Sequence, residues 1–193
     1  MKMDDDEAKS RLKRLWIDHK PAVESFVWRR NATDVDDVVQ QVFVTAWRRI
    51  ADVPDEPRAW LLTVARNVML HQRRASRRRD ALAVRIGGVI EVATRDNTWR
   101  EAEGIGSSPL SQAWLDLSDA EREVLSLVVW DELTGVEAAQ VLGITRVAFA
   151  KRLERARNHL RSLLADAGLG TVAPFADIAN QPNSEGDRNE SGN

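Results

Sequence analysis

Two stretches of the chain, 12–79 and 113–165, carry apolar residues at spacings of three and four, and the segment between them keeps no period. Such spacing lays apolar side chains along one face of an α-helix, whereas a half-buried strand needs strict alternation. The chain is therefore expected to be all-α: two small helical domains at 1–79 and 113–165, joined by a flexible linker at 80–112 and followed by a disordered tail at 166–193. Gly87, Gly104, Gly106, Ser107, Ser108 and Pro109 interrupt the linker, which holds only a weak alternation near Ala83 to Val92 and room for a short helix at Thr98 to Ala102. The tail, rich in Asn, Ser, Asp and Gly, has little to bury.

In the first block, Leu12, Leu15, Trp16, Val23, Phe26 and Val27 predict one or two helices, with Pro21 marking a bend or a new first turn. Thr33 is placed to cap the next helix, whose acids stand in its first turn and whose Arg48 and Arg49 stand in its last, as the helix dipole favours. Val35, Val38, Val39, Val42, Phe43, Ala46, Trp47 and Ile50 fall on its packed face, and Asp37, Gln40, Gln41, Val44 and Arg48 on the other. Valine is a poor helix former, so this many on one stripe require that burial offset their conformational cost. The sequence VPDEP then breaks the helix, and a third begins near Pro57 or Arg58, buries Leu61, Val64, Ala65 and Val68, and runs basic to Arg79.

In the second block Ser118 and Glu121 form a capping-box pattern, Thr134 can cap GVEAAQVL, and Gly143 stops it. A further helix starts at Thr145. Helix, glycine turn, helix, with small Ala138 and Ala139 permitting close approach, is the helix-turn-helix pattern, whose second helix enters the major groove of DNA. On that second helix Phe149, Leu153, Ala156, Leu160 and Leu164 share one arc, and Ala148, Lys151, Arg152 and Arg155 share another.

Charge supports a polyanionic partner. The net charge is only −2, yet Arg58 to Arg79 holds seven arginines and no acid, and Thr145 to Arg161 holds six basic residues against Glu154 alone. Two separated basic segments in a slightly acidic chain point to two local contacts with nucleic acid. The absence of cysteine removes disulfides, thiolate metal sites and cysteine nucleophiles, and His19, His71 and His159 are far apart, so neither metal nor cofactor is expected. Asp36 and Asp37 are adjacent and project roughly 100° apart on a helix, and no phosphate loop or nucleophile accompanies them, which disfavours an enzyme acting on nucleic acid. No long apolar run and no apolar amino-terminal segment are present, so a cytoplasmic protein without membrane insertion is expected.

Taken in order, DVDDVVQQVFVTAW, RAWLLTVARNVMLHQRR and LSDAEREVLSLVVWDELTGVEAAQVLGITRVAFAKRLERARNHL resemble a bacterial RNA polymerase sigma factor of the extracytoplasmic-function type. The resemblance covers Leu12 to Arg79 and Gln112 to Leu164, the family's regions two and four. It implies that Asp37, Gln40, Gln41 and Arg48 dock on the clamp helices of core RNA polymerase. It implies that the loop Asp52 to Pro57 and the helix after it capture the promoter's minus-ten element, with Asn67 reading the melted non-template strand and His71 and Arg74 following it. Trp60 is expected to be structural. Region four would bind the minus-thirty-five duplex through Arg146, Lys151, Arg152 and Arg155. Where the family commonly has V-K-S-R-L this chain has Phe149-Ala150-Lys151-Arg152-Leu153, so a lysine stands at the usual serine. An anti-sigma protein is a further partner the family suggests, and the linker, despite its acids, is read as a tether. The competing reading is a free-standing helix-turn-helix regulator whose first domain dimerises or senses a ligand.

Overall fold

The computed structural model describes residues 4–30, 34–85 and 108–169. Among them are α1 (Asp5–Arg29), α2 (Val35–Arg48), a single 3-10 turn (Ile50–Asp52), α3 (Arg58–Arg85), α4 (Pro109–Asp116), α5 (Asp119–Val129), α6 (Gly135–Leu142) and α7 (Arg146–Asp166), with no strand.

The first domain packs α1, α2 and α3 on one another. Val38, Val39, Val42, Phe43 and Ala46 of α2 are buried, as are Phe26 and Val27 of α1 and Leu61, Leu62 and Ala65 of α3. Of the one or two helices expected at the start, one is present, and two other expectations need correction. α1 is one helix that runs through Pro21, which lies on the exposed side, where solvent can satisfy the carbonyl that loses its helical donor. The cap of α2 is Asp34, whose side chain accepts the Asp37 backbone N–H at 3.1 Å; Thr33 lies outside the described residues. Trp16 and Trp47, expected on packed stripes, remain 42% and 37% exposed.

The second domain is capped as its sequence predicts. The Ser118 and Thr134 side chains each accept the backbone N–H three residues on, Glu121 and Glu137 reach back to complete the capping boxes, and Gly143 ends α6 at φ 66, where a Cβ would be strained. Ala113, Leu117, Leu125, Ala156, Leu160 and Leu164 form one core under α7. α3 continues to Arg85 and α4 begins at Pro109, so helix enters the expected linker from both sides. Ser108 caps α4 with proline in its first turn, a combination that reads as a helix start as readily as a loop. Past 165, Leu169 turns back to pack on this core, its N–H donating to the Leu164 carbonyl at 2.9 Å. The two weak patterns of the linker fall mostly outside the described residues, apart from Ala83–Arg85, which is helical.

The two domains are in contact. The larger apolar cluster includes Phe26, Val38 and Leu62 of the first and also Leu127, Leu133, Ala138, Ala139 and Phe149 of the second, with α3 lying along α6. Asp131, 2% exposed, lies between Arg29 and Arg30 and accepts from both, from Arg30 at 2.9 Å. Arg30 is itself buried over the Phe26 ring, and burial pushes its guanidinium below its ordinary value despite the Asp131 charge. The Arg66 guanidinium donates to both Glu123 oxygens at 2.9 and 3.4 Å, and Arg58 stands 3.6 Å from Glu132. This seam of arginines against acids joins the blocks at sequence separations that no local pattern reveals.

Candidate polymerase and nucleic-acid interfaces

Three faces carry the residues singled out by the sequence. On α2, Asp37, Gln40, Gln41 and Arg48 are all exposed. Beside them α1 and α2 enclose an apolar cleft of about 560 Å³ lined by Leu12, Trp16, Phe43, Val44 and Trp47, with Gln40, Lys9 and Lys13 at its edges. Trp16 meets Phe43 edge-on with ring centroids 4.7 Å apart, and Lys20 stands 5.9 Å over the Trp16 ring. The exposed face of α2 is therefore not simply polar: Gln40 and Val44 also line this largely apolar cleft. Helical spacing does not mark the two tryptophans as surface residues, because it identifies a stripe without showing how much of it a neighbour covers.

On α3, Asn67, His71 and Arg74 are exposed, and their separations of four and three place them on one line along the helix. The arginines around them are divided. Arg58 and Arg66 turn to acids of the second domain, and Arg73 donates to the Arg30 carbonyl at 3.0 Å, its guanidinium pushed below its ordinary value by burial. The loop before α3 is pinned to α1: Arg11 donates to the Val53 carbonyl and approaches Asp55 at 3.9 Å, while Pro54, Asp55 and Glu56 remain exposed. Trp60 is half-buried against the core with Arg49 5.7 Å over its ring, which fits a structural part.

On α7, Arg146, Lys151, Arg152 and Arg155 are exposed, while Phe149, Ala156, Leu160 and Leu164 are buried beneath them. Thr145 caps the helix through the Ala148 N–H at 3.1 Å, and the Gly143 turn sets α7 across α6. A basic helix held out from a helix-turn-helix in this way presents hydrogen-bond donors to phosphates and to guanine edges. Its other flank is tied down by His159, whose Nδ1 lies 2.9 Å from Glu121. Among the described residues no group of His, Cys, Asp or Glu is arranged to hold a metal ion.

Two family models match the chain, sigma-70 region 2 over residues 15–79 and sigma-70 region 4 over residues 110–160. The sigma factor CnrH of Cupriavidus metallidurans is 36% identical over 150 residues, 68% of this chain and 74% of that protein. SigL of Mycobacterium tuberculosis, an extracytoplasmic-function sigma factor, is 29% identical over 84% of this chain and 94% of its own. Among solved structures, the sigma factor RpoE of Bartonella quintana, in complex with the anti-sigma factor NepR, shares the fold at a TM-score of 0.58 and 24% identity, covering 79% of this chain and 96% of that one. The chain thus belongs to the RNA polymerase sigma factors of the extracytoplasmic-function type, the initiation factors that direct polymerase to promoters.

Proposed function

We propose that each of the three faces has one part in initiation. The face of α2, with Asp37, Gln40, Gln41 and Arg48 and the apolar cleft beside them, docks on the clamp helices of core polymerase. The line Asn67, His71 and Arg74, with the pinned loop before α3, takes the minus-ten element as a melted strand. An unstacked base offers edges that a duplex hides, so binding the single strand favours opening without any catalytic group. We assign the chain no catalytic centre and place it in the cytoplasm beside polymerase; no helix among the described residues is long and apolar enough to cross a membrane. The basic face of α7, with Arg146, Lys151, Arg152 and Arg155, takes the minus-thirty-five element as duplex. We take the domains to be 1–79 and 113–165 in function, with the helices extending slightly beyond both.

The observation that carries this reading is the sorting of charge on α3. Arg58, Arg66 and Arg73 are engaged within the protein, yet Asn67, His71 and Arg74 stay exposed on one line. Run-off transcription with core polymerase tests it. Asn67→Ala is expected to weaken promoter opening and Arg152→Ala to weaken minus-thirty-five use, each about tenfold, with core binding intact; Gln40→Ala with Val44→Asp should instead lower core binding. Unchanged promoter use in the first two variants would refute the assigned sites. The solved complex of a similar chain with an anti-sigma factor motivates a search for such a partner here, and a resting protein isolated alone and already active would count against one.

A further inference from the structure

The exposed face of α7 contains two side chains that a purely phosphate-binding helix has no use for. Val147, in the first turn, is 65% exposed, and Glu154 is the sole acid between Thr145 and Arg161. Glu154 is exposed and, among the described residues, makes no hydrogen bond or ion pair, although Lys151 and Arg155 are close along the helix. Neither residue is explained by the core. At roughly 100° per residue, Phe149, Ala156 and Leu160 define the buried direction, and Val147, Lys151 and Glu154 point almost opposite to it. Arg146 and Arg152 lie about 100° or more to either side of that line. Over residues 146–155 the helix thus has a central stripe of one apolar, one cationic and one anionic side chain, flanked by Arg146 on one side and by Arg155 and Arg152 on the other.

That arrangement fits a major groove in which the flanks meet the two phosphate walls and the stripe meets base edges. A carboxylate brought there is repelled by phosphates unless it faces a donor. Two base amino groups face that groove: that of adenine stands next to the N7 acceptor, which repels a carboxylate, whereas that of cytosine stands next to a C–H. Lysine in turn suits the O6 and N7 acceptors of guanine, and an exposed aliphatic side chain suits the thymine methyl. We propose that Val147, Lys151 and Glu154 are specificity-determining residues of the minus-thirty-five contact: Val147 reads a thymine methyl, Lys151 a guanine, and Glu154 the amino group of a cytosine. The two charged readers are three residues apart, about 4.5 Å of helix rise, close to the spacing of neighbouring base pairs, so their guanine and cytosine are adjacent in the site.

This assignment rests on the reading that α7 binds duplex DNA, and the experiment separates the two. Holoenzyme formed from the full chain and core polymerase is selected on promoters with a randomised minus-thirty-five element, for wild type, Val147→Ala, Lys151→Ala and Glu154→Gln. Wild type is expected to select thymine and an adjacent guanine and cytosine. Glu154→Gln should lose roughly tenfold of its cytosine preference in favour of adenine, whose amino and N7 groups suit an amide. Lys151→Ala should relax the guanine by about the same factor. Replacing the selected thymine by uracil removes only the methyl and should weaken wild-type binding about fourfold, the worth of one buried methyl, while leaving Val147→Ala indifferent. A sharp wild-type profile that all three variants keep unchanged overturns this assignment alone. A wild-type profile flat at every position overturns the duplex-binding reading with it. All three positions are exposed, so helicity measured by circular dichroism should match wild type.

Discussion

α3 and α7 are the two basic helices of this chain, and they use their charge in different ways. On α3, Arg58, Arg66 and Arg73 are directed at Glu132, Glu123 and the Arg30 carbonyl. On α7, Lys151, Arg152 and Arg155 have no partner among the described residues. A count of basic residues along the sequence rates the two segments alike. The difference lies in where the complementary acids are: Glu123, Asp131 and Glu132 of the second domain pair with arginines of the first, whereas on α7 it is His159 that meets an acid, Glu121. Basic runs therefore measure a nucleic-acid surface only after those that a distant part of the chain neutralises have been subtracted.

The largest expected effect lies at the seam. Asp131→Ala leaves the buried Arg30 without its counter-ion and should cost about 3 kcal/mol or more in denaturant unfolding, whereas Lys151→Ala should stay within about 0.5 kcal/mol of wild type. Equal losses would erase the contrast between the two regions. On promoter DNA the ranking should reverse: Lys151→Ala weakens minus-thirty-five binding by about 1 to 3 kcal/mol, and Arg155→Ala lowers the slope of log affinity against log salt by about one, while Arg66→Ala leaves that slope unchanged. A smaller effect tests the capping box of α5. Burial of Glu121 raises its pKa, but hydrogen bonds from Ser118 and His159 outweigh this and hold the carboxyl below its ordinary 4.5. A carboxyl whose folded pKa is depressed contributes stability that is present above the unfolded pKa and lost as pH falls through the folded one. Glu121→Ala should thus cost about 1 kcal/mol near neutrality, with the gap to wild type closing below about pH 4.5 in urea titrations.

What the sequence made legible was local. The boxes at Ser118 with Glu121 and Thr134 with Glu137 span three residues, and Gly143 supplies its own conformational reason, so those helix ends could be read directly. Thr33 and Asp34 are both residue types that cap helices and stand side by side, so the sequence alone does not choose between them for the start of α2. Trp16 and Trp47 show the limit of periodicity: the apolar stripe is wider than the neighbour that covers it, and its edge becomes a cleft. The candidate faces on α2, α3 and α7 were readable as exposed stripes, but their partners came only with the family. The seam was beyond reach, since Arg29 and Arg30 meet Asp131 at separations of 102 and 101 residues.

The seam also sets an energetic threshold. Elements centred ten and thirty-five base pairs upstream of a start site lie roughly 85 Å apart along duplex DNA, whereas a compact chain of this size has a radius of gyration of about 16 Å. If α3 and α7 engage both elements of one promoter, the closed arrangement is not the one that does so. Opening parts α3 from α6 and separates Asp131 from Arg30, so it costs the free energy that those contacts supply. A polymerase that takes only the open form binds with its intrinsic affinity reduced by the open fraction, and a variant that loosens the seam without unfolding either domain should then raise apparent affinity by the factor by which it raises that fraction.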